Sequence, residues 1–362
     1  MRKLATIREI SALRPISGAD KIEVAQIDGW ECVVKKGEFS VGQYVVYIEV
    51  DSVLPKCPEF EFLRDRKFRV RTIKLRGQVS QGLVMPLSIL PSGTPITKDL
   101  NVTDLLGITK YDPQAQQEAQ LLLKQAKAPT HPIIKFMMRF RWFRKLFSKT
   151  KHKYEFPDWI AKTDETRIQN MTKLFETESK RETQFSVTEK MDGQSVTYFL
   201  RRISKHKFEF GVCSRNIRLG TPDNSSYWTV AQNYNMENIL RQLIGNHDTI
   251  VIQGEICGNG IQGNKYHISG YELFVFNLIY PDHKCSTAEI ENLVVPLGLK
   301  TVPILEEGKT LPATITELVE YAKGYSTVRK EQKREGVVMR NMQSNISFKV
   351  INPDFLLAEK DL

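Results

Sequence analysis

The sequence predicts an α+β chain, a small β-barrel followed by a larger mixed α/β domain. Three observations carry that reading. Short β-branched runs separated by turn residues fill residues 1 to about 110, and strand-like runs alternate with helical ones from about 155 onward. Between them the composition changes abruptly. The 362 residues suit two or three domains at roughly 100–200 residues each. With 41% hydrophobic and 26% charged residues, wholesale disorder is excluded.

In the first part, IREISALRPI, DKIEVAQI, WECVVKK, QYVVYIEV, FRVRTIKLR and QGLVMPL read as strands. Ser17-Gly18-Ala19-Asp20, Asp28-Gly29, KKGEFSVG and the Pro55/Pro58 cluster supply the turns. Several short strands without a long helix between them fit a closed barrel better than a sandwich. Residues 1–112 are therefore expected to form one domain. Residues 113–154 read as a linker, Gln/Ala-rich at first and then broken by Pro129 and Pro132. Its second half, KFMMRFRWFRKLFSKTKHK, carries eight Lys/Arg between residues 135 and 153, interleaved with Phe136, Phe140, Trp142, Phe143 and Phe147. Such a strip suits nucleic acid or an anionic membrane, and equally an amphipathic helix with solvated charges.

Residues 155–362 form the expected mixed domain. FSVTEK, QSVTYFL, KFEFGVC, TIVIQGEIC, YELFVFNLIY, EGVVMRN and ISFKVIN read as strands; NMENILRQLIG and ITELVEYAKGYS read as helices. No window approaches the roughly 18 uncharged apolar residues of a membrane span, and the N-terminus lacks a signal-peptide core. Cys32, Cys57, Cys213, Cys257 and Cys285 are widely spaced without a CxxC, as reduced thiols of a cytoplasmic protein would be. The net charge of +10 suits a polyanionic partner without identifying one.

Chemistry is suggested first at Thr188-Glu189-Lys190-Met191-Asp192-Gly193, between two expected strands. A lysine there can be a nucleophile if desolvation or nearby positive charge keeps its amine neutral. A charged β-turn accounts for the same four residues, and KxDG arises by chance in roughly a tenth of chains this long. Other segments follow in order: TDETRIQN at 163–170 upstream, then Cys213-Ser214-Arg215-Asn216, Gly254-Glu255-Ile256-Cys257-Gly258, Phe274-Val275-Phe276, Glu335-Gly336-Val337-Val338-Met339-Arg340 and Ser347-Phe348-Lys349-Val350-Ile351.

Together these segments resemble the nucleotidyltransferase motifs shared by polynucleotide ligases and mRNA-capping enzymes. The TDETRIQN segment and the Ser214-Arg215-Asn216 form narrow the resemblance to RNA ligases. WECVVKKGEFSVGQYVVYIEVDSVLP followed by KLRGQVSQGLVMPL looks like an OB-fold, and an OB-fold ahead of the transferase domain resembles the Deinococcus-type RNA ligases.

The resemblance implies an ATP-dependent RNA ligase joining 3′-hydroxyl and 5′-phosphate ends at RNA-containing nicks, in RNA repair. Lys190 would take AMP from ATP as a lysyl-AMP. Asp192, Glu255 and Glu335 would hold Mg²⁺ or Mn²⁺, since oxygen ligands suit a hard cation. Arg167 and Arg215 would grip phosphates, Arg167 the leaving pyrophosphate. Lys349 would meet the α-phosphate alone, because Ser347 and Ile351 stand where a second lysine often lies. Phe276 and Val338 would sandwich the adenine with Glu189 at its edge, although FVFNL also fits plain core. Asn259, Gln262 and Lys265 could touch nucleic acid. The basics Lys67, Arg69, Arg71, Lys74 and Arg76 alternate as on one strand face, either a track for a duplex backbone or a solvated surface. The chain is expected to be a monomer, with the N-terminal domain mattering more for sealing than for self-adenylylation. A DNA ligase or GTP-using capping enzyme is disfavoured, since 13 residues after Lys349 leave no room for a C-terminal OB-fold. A non-catalytic RNA-binding protein is disfavoured by the intact Lys190, Glu255, Glu335 and Lys349.

Overall fold

The computed structural model describes residues 3–112, 118, 155–220 and 222–358. The N-terminal strands are β1 (Ala5–Glu9), β2 (Ala12–Ile16), β3 (Ala19–Ile27), β4 (Trp30–Lys35), β5 (Tyr44–Ile48), β6 (Ser52–Val53), β7 (Thr72–Leu75), β8 (Gln78–Gln81), β9 (Leu83–Met85) and β10 (Thr109–Lys110). They pair antiparallel as two three-stranded sheets, β1-β5-β9 and β2-β3-β4, with the small ladders β10-β6 and β7-β8. Among the described residues the strands expected to close into a barrel thus form separate ladders rather than one continuous closed sheet. The β1-β5-β9 sheet is buried on both faces. Val45, Tyr47 and Val84 pack with Ala25, Ile27, Trp30 and Cys32, while Val46 and Ile48 meet Phe60, Leu63, Phe68 and Val70 on the other side. Double burial explains why YVVYI reads as continuous rather than alternating hydrophobicity.

The basic run 67–76 is not one strand face. Lys67 and Phe68 both have positive φ, 52° and 58°, so the chain turns there and β7 starts only at Thr72. Arg76 and Gly77, again at positive φ, form the two-residue turn of the β7–β8 hairpin. Lys67, Arg69 and Arg71 consequently face the interdomain cavity described below, whereas Lys74 and Arg76 are exposed. The basic aromatic strip at 135–153 lies outside the described residues.

The C-terminal domain contains α1 (Thr172–Lys180), β11 (Phe185–Glu189), β12 (Gln194–Ser204), β13 (Lys207–Cys213), β14 (Arg218–Leu219), α2 (Ser226–Asn233), α3 (Met236–Leu243), β15 (Thr249–Gly258), β16 (Tyr271–Ile279), α4 (Thr287–Val294), β17 (Lys300–Thr301), β18 (Ile304–Lys309), α5 (Ile315–Tyr321), β19 (Gly336–Asn341), β20 (Ile346–Ile351) and α6 (Pro353–Ala358). A six-stranded sheet, β14-β13-β12-β15-β16-β17, is backed by α2, α3 and α4. A four-stranded sheet, β18-β11-β19-β20, is backed by α1 and α5. Every strand and both helices read from this half of the sequence are present; α1, α2, α4 and α6 are additions. α6 reaches back to β7 of the N-terminal domain. All five cysteines are free, and no described helix is long and apolar enough to cross a membrane.

Candidate active site

Lys190 lies where the chain passes from one sheet to the other. β11 ends at Glu189 in the four-stranded sheet and β12 begins at Gln194 in the six-stranded one, so residues 190–193 bridge the two. The crossing is pinned at every step. Glu189 N–H donates to Pro303 O (2.8 Å) and Lys190 N–H to Gly336 O (3.0 Å). Met191 is buried among Cys257, Tyr266 and Phe274. A Cβ on Gly193 would stand 2.4 Å from Ile256 O, so only glycine allows the close approach to β15. A cavity of about 1,020 Å³ opens beside this crossing, walled by both sheets and by the N-terminal domain. Arg167, Glu189, Lys190, Asp192, Arg215, Glu255, Phe276, Glu335, Val338 and Lys349, the residues expected from the sequence, all line it.

Three carboxylates bear on the lysine. Glu335 Oε2 accepts from Lys190 Nζ at 2.6 Å. Burial alone would lower the Lys190 pKa, but Glu335, Glu255 and Asp192 outweigh it and hold the ammonium above the usual lysine range. The acids in turn resist sharing their charge. Burial pushes Glu255 up to about 8, Lys190 opposes, and Glu335 and Asp192 add to the rise. Burial and Glu335 push Asp192 up to about 6, against Lys265, whose Nζ lies 2.6 Å from Asp192 Oδ2. This is an all-oxygen site short of positive charge, which is the donor chemistry a hard divalent cation takes. Among the described residues, however, the group of three potential ligands whose atoms lie within 4.8 Å of one another is His283, Cys285 and Glu289. None of those lines the cavity, and Glu289 is already engaged by Ser286 N–H (2.7 Å) and His283 (3.2 Å).

On a second side of the cavity is an apolar slot with one polar edge. Val338 comes from β19, opposite Lys349 on β20. Phe276 is half-buried, unlike its buried neighbours Phe274 and Val275; it lines the cavity and also packs against the core cluster of Met191, Cys257 and Phe274. Glu189 is 1% exposed. Its Oε2 accepts from Thr327 N–H (2.9 Å) and Thr327 Oγ–H (2.8 Å), while Oε1, sealed from solvent, has no partner.

The third side is cationic and converges on Asp164. Lys349 Nζ and Arg215 Nη2 each lie 2.9 Å from an Asp164 oxygen, and Lys110 Nζ lies 3.8 Å away. Burial would raise the Asp164 pKa, but Lys349 and Arg215 outweigh it and hold the carboxyl well below its usual range. Burial lowers Lys349 to about 8; Asp164 offsets part of this, and Lys190 and Arg167 add to it. Ser347, where a second lysine could stand, donates instead to Glu165 (2.6 Å).

Residues 4–87 match a family model described as an OB-fold domain, and residues 183–351 match the RNA ligase model. No curated protein matches the chain. Among solved structures, Naegleria gruberi RNA ligase with pyrophosphate is 33% identical over 98% of each chain, with a TM-score of 0.78. A single-residue variant of the same enzyme with AMP and Mn is 32% identical over the full length of both chains, at 0.79. The chain belongs to the RNA ligase family.

In this RNA ligase several residues in or beside the cavity make contacts that the sequence did not announce. Asp164 stood within TDETRIQN, but nothing in that run shows that two cations meet on it. Lys265, expected near nucleic acid, instead bonds Asp192. Thr327 carries no sequence signal at all. Glu118 is buried beneath the Ser214-Arg215-Asn216 turn, accepting from Ser214 Oγ (2.6 Å), Asn216 N–H (3.2 Å) and Asn216 Nδ2 (2.9 Å). It thereby fixes the loop that presents Arg215.

Proposed function

We propose that this ligase uses ATP and a divalent metal to join a 3′-hydroxyl to a 5′-phosphate at breaks in RNA-containing duplexes, through a lysyl-AMP on Lys190. The observation that carries it is the convergence, in one cavity, of a lysine among three acids, an apolar slot with an orphaned carboxylate oxygen, and a cation cluster. The unpartnered Glu189 Oε1 suits the exocyclic amine of adenine, between Phe276 and Val338. Arg215 and Lys349 face the α-phosphate, and Arg167 the leaving pyrophosphate.

Lys190 Nζ, once neutral, attacks the α-phosphorus; an N–P bond forms and the bond to pyrophosphate breaks. Glu335 is the hydrogen-bonded acceptor toward which the ammonium proton leaves. The carboxylates of Asp192, Glu255 and Glu335 have the donor chemistry for a Mg²⁺ or Mn²⁺ ion, which when bound would supply charge that weakens their hold on the ammonium and offsets charge on phosphate. The AMP then passes to a 5′-phosphate, and attack by the 3′-hydroxyl releases it. Positioning and electrostatics contribute most of the catalysis in each transfer. Residues 1–112 act as the OB-fold domain, 113–154 as the join and 155–362 as the catalytic domain, in a cytoplasmic monomer serving RNA repair.

Intact-protein mass after incubation with Mg²⁺ and either ATP or GTP, beside a Lys190→Ala control, tests this directly. The expected result is a gain of one AMP from ATP only, lost in the control. A GMP adduct would move the reading to capping chemistry. No adduct from a folded sample stripped of AMP by pyrophosphate would refute the covalent step.

A further inference from the structure

The turn that carries Arg167 is gripped from the N-terminal domain. Residues 167–170 form a single helical turn, with Asn170 N–H donating to Arg167 O (3.0 Å), and the preceding Thr166 O accepts from Lys349 N–H (2.9 Å) on β20. Across the domain boundary, the fully buried Trp30 donates its Nε1–H to Asn170 Oδ1 at 2.8 Å. Asn170 Nδ2 donates to Glu49 Oε1, also at 2.8 Å. One amide thus uses both ends on the other domain. The Arg167 guanidinium lies 5.7 Å from the Trp30 ring centre and 3.4 Å from Asp51 Oδ2. Gly29 N–H donates to Gln169 O (3.4 Å), and a Cβ on Gly29 would stand 2.8 Å from Gln169 Cα. The two backbones meet with no room for a side chain.

We infer that Trp30, Glu49 and Asn170 are positioning residues for the first half-reaction, through which the N-terminal domain sets where Arg167 meets the triphosphate. This rests on the reading of Arg167 given above. It departs from the expectation that the OB-fold serves sealing more than self-adenylylation: the same domain that walls the RNA-facing side of the cavity also holds an ATP contact in place. The chemistry is that of a rigid four-residue turn. A guanidinium grips phosphate oxygens through a planar fork, so a small rotation of the turn that carries it loses bonds without removing any charge.

The full-length ligase separates the two halves of the reaction. Lysyl-AMP formation is followed as a function of ATP concentration, and sealing of a pre-adenylylated nick, which consumes no ATP, is followed in parallel. Trp30→Phe deletes the N–H donor and, with it, the five-membered ring of the buried indole. Asn170→Asp sets a second carboxylate against Glu49, and Asn170→Asp combined with Glu49→Gln reverses donor and acceptor. The expected result is a rise of about tenfold in KM for ATP with Trp30→Phe, the usual scale of one buried hydrogen bond. Asn170→Asp raises it further, and the double variant recovers to within about threefold of wild type on the same scale. Sealing of the pre-adenylylated nick stays within about twofold throughout, which also reports that each variant folds.

An unchanged KM in both single variants, an equal loss in the two assays, or no recovery in the double variant would each overturn the positioning role. Arg167→Ala is run alongside. If it is crippled in adenylylation while Trp30→Phe and Asn170→Asp are not, the clamp alone is wrong. If it adenylylates normally, the reading of Arg167 falls and takes the clamp with it.

Discussion

Glu189→Gln tests the selection of the base, because the structure fixes which end of the new amide would keep the Thr327 contacts. Thr327 offers two donors to Oε2, at 2.9 and 2.8 Å, so the amide oxygen must remain there. The NH₂ then replaces Oε1, the buried oxygen that has no protein partner. Against ATP a donor meets the exocyclic amine, another donor. A hydrogen bond to a charged acceptor contributes about 1.5–3 kcal/mol, and the donor left unmade adds about 1 kcal/mol or more. A total of about 2.5–4 kcal/mol corresponds to a fall of roughly 70- to 1,000-fold in kcat/KM for ATP. Against GTP the same NH₂ meets an acceptor, so the ATP-to-GTP preference narrows or inverts. The assay is the nucleotide dependence of the lysyl-AMP or lysyl-GMP adduct, read by intact mass. A variant that keeps kcat/KM for ATP within about threefold of wild type would show that Oε1 does not face the base.

Lys349, pushed down to about 8 by burial, is cationic below that pH and loses its charge above it. The KM for ATP in self-adenylylation is expected to rise between pH 8 and 9.5, and Lys349→Arg, which stays charged, should remove that rise; a flat wild-type profile would sink the assignment. Gly193→Ala places a methyl 2.4 Å from Ile256 O and 2.9 Å from Glu255 Cγ. Overpacking of that kind costs about 1–3 kcal/mol, and denaturant unfolding should show it together with loss of the AMP adduct. Phe276→Ala should raise KM for ATP with little effect on melting temperature, because the ring is half-buried at the cavity wall; an equal loss of stability would return it to the core.

The chemistry was legible because its residues sit in or beside short strands, where short runs keep their spacing however the domain packs. Lys190 and Asp192 belong to a crossing between two sheets, Val338 and Lys349 face each other on two adjacent strands, and Glu335 immediately precedes the first of these. What joins those runs was not legible. Asp164 meets a lysine 185 residues away, and Trp30 meets an asparagine 140 away. Long-range pairings of this kind leave no local periodicity. The basic run at 67–76 failed for a different reason: two-residue spacing holds within Lys67, Arg69 and Arg71 and again within Lys74 and Arg76 but not between the two groups, and positive φ at Lys67 and Phe68 breaks the strand that such spacing implies. The helix α4 announced itself unheeded, since Ser286 and Glu289 form a capping box that reads directly as S-x-x-E.

Asp164 has a consequence for what the cavity admits. Before any nucleotide arrives, Lys349 and Arg215 are already satisfied by a carboxylate built into the chain. A small anion such as chloride or inorganic phosphate brings little that Asp164 does not already supply, and it must displace a bonded partner to enter. On the proposed reading, a ligand carrying several phosphates in a row would reach Lys349, Arg215 and Arg167 at once. The internal acid therefore works as a threshold, tuning the site to charge density rather than to charge and keeping the abundant monoanions of a cell from occupying it.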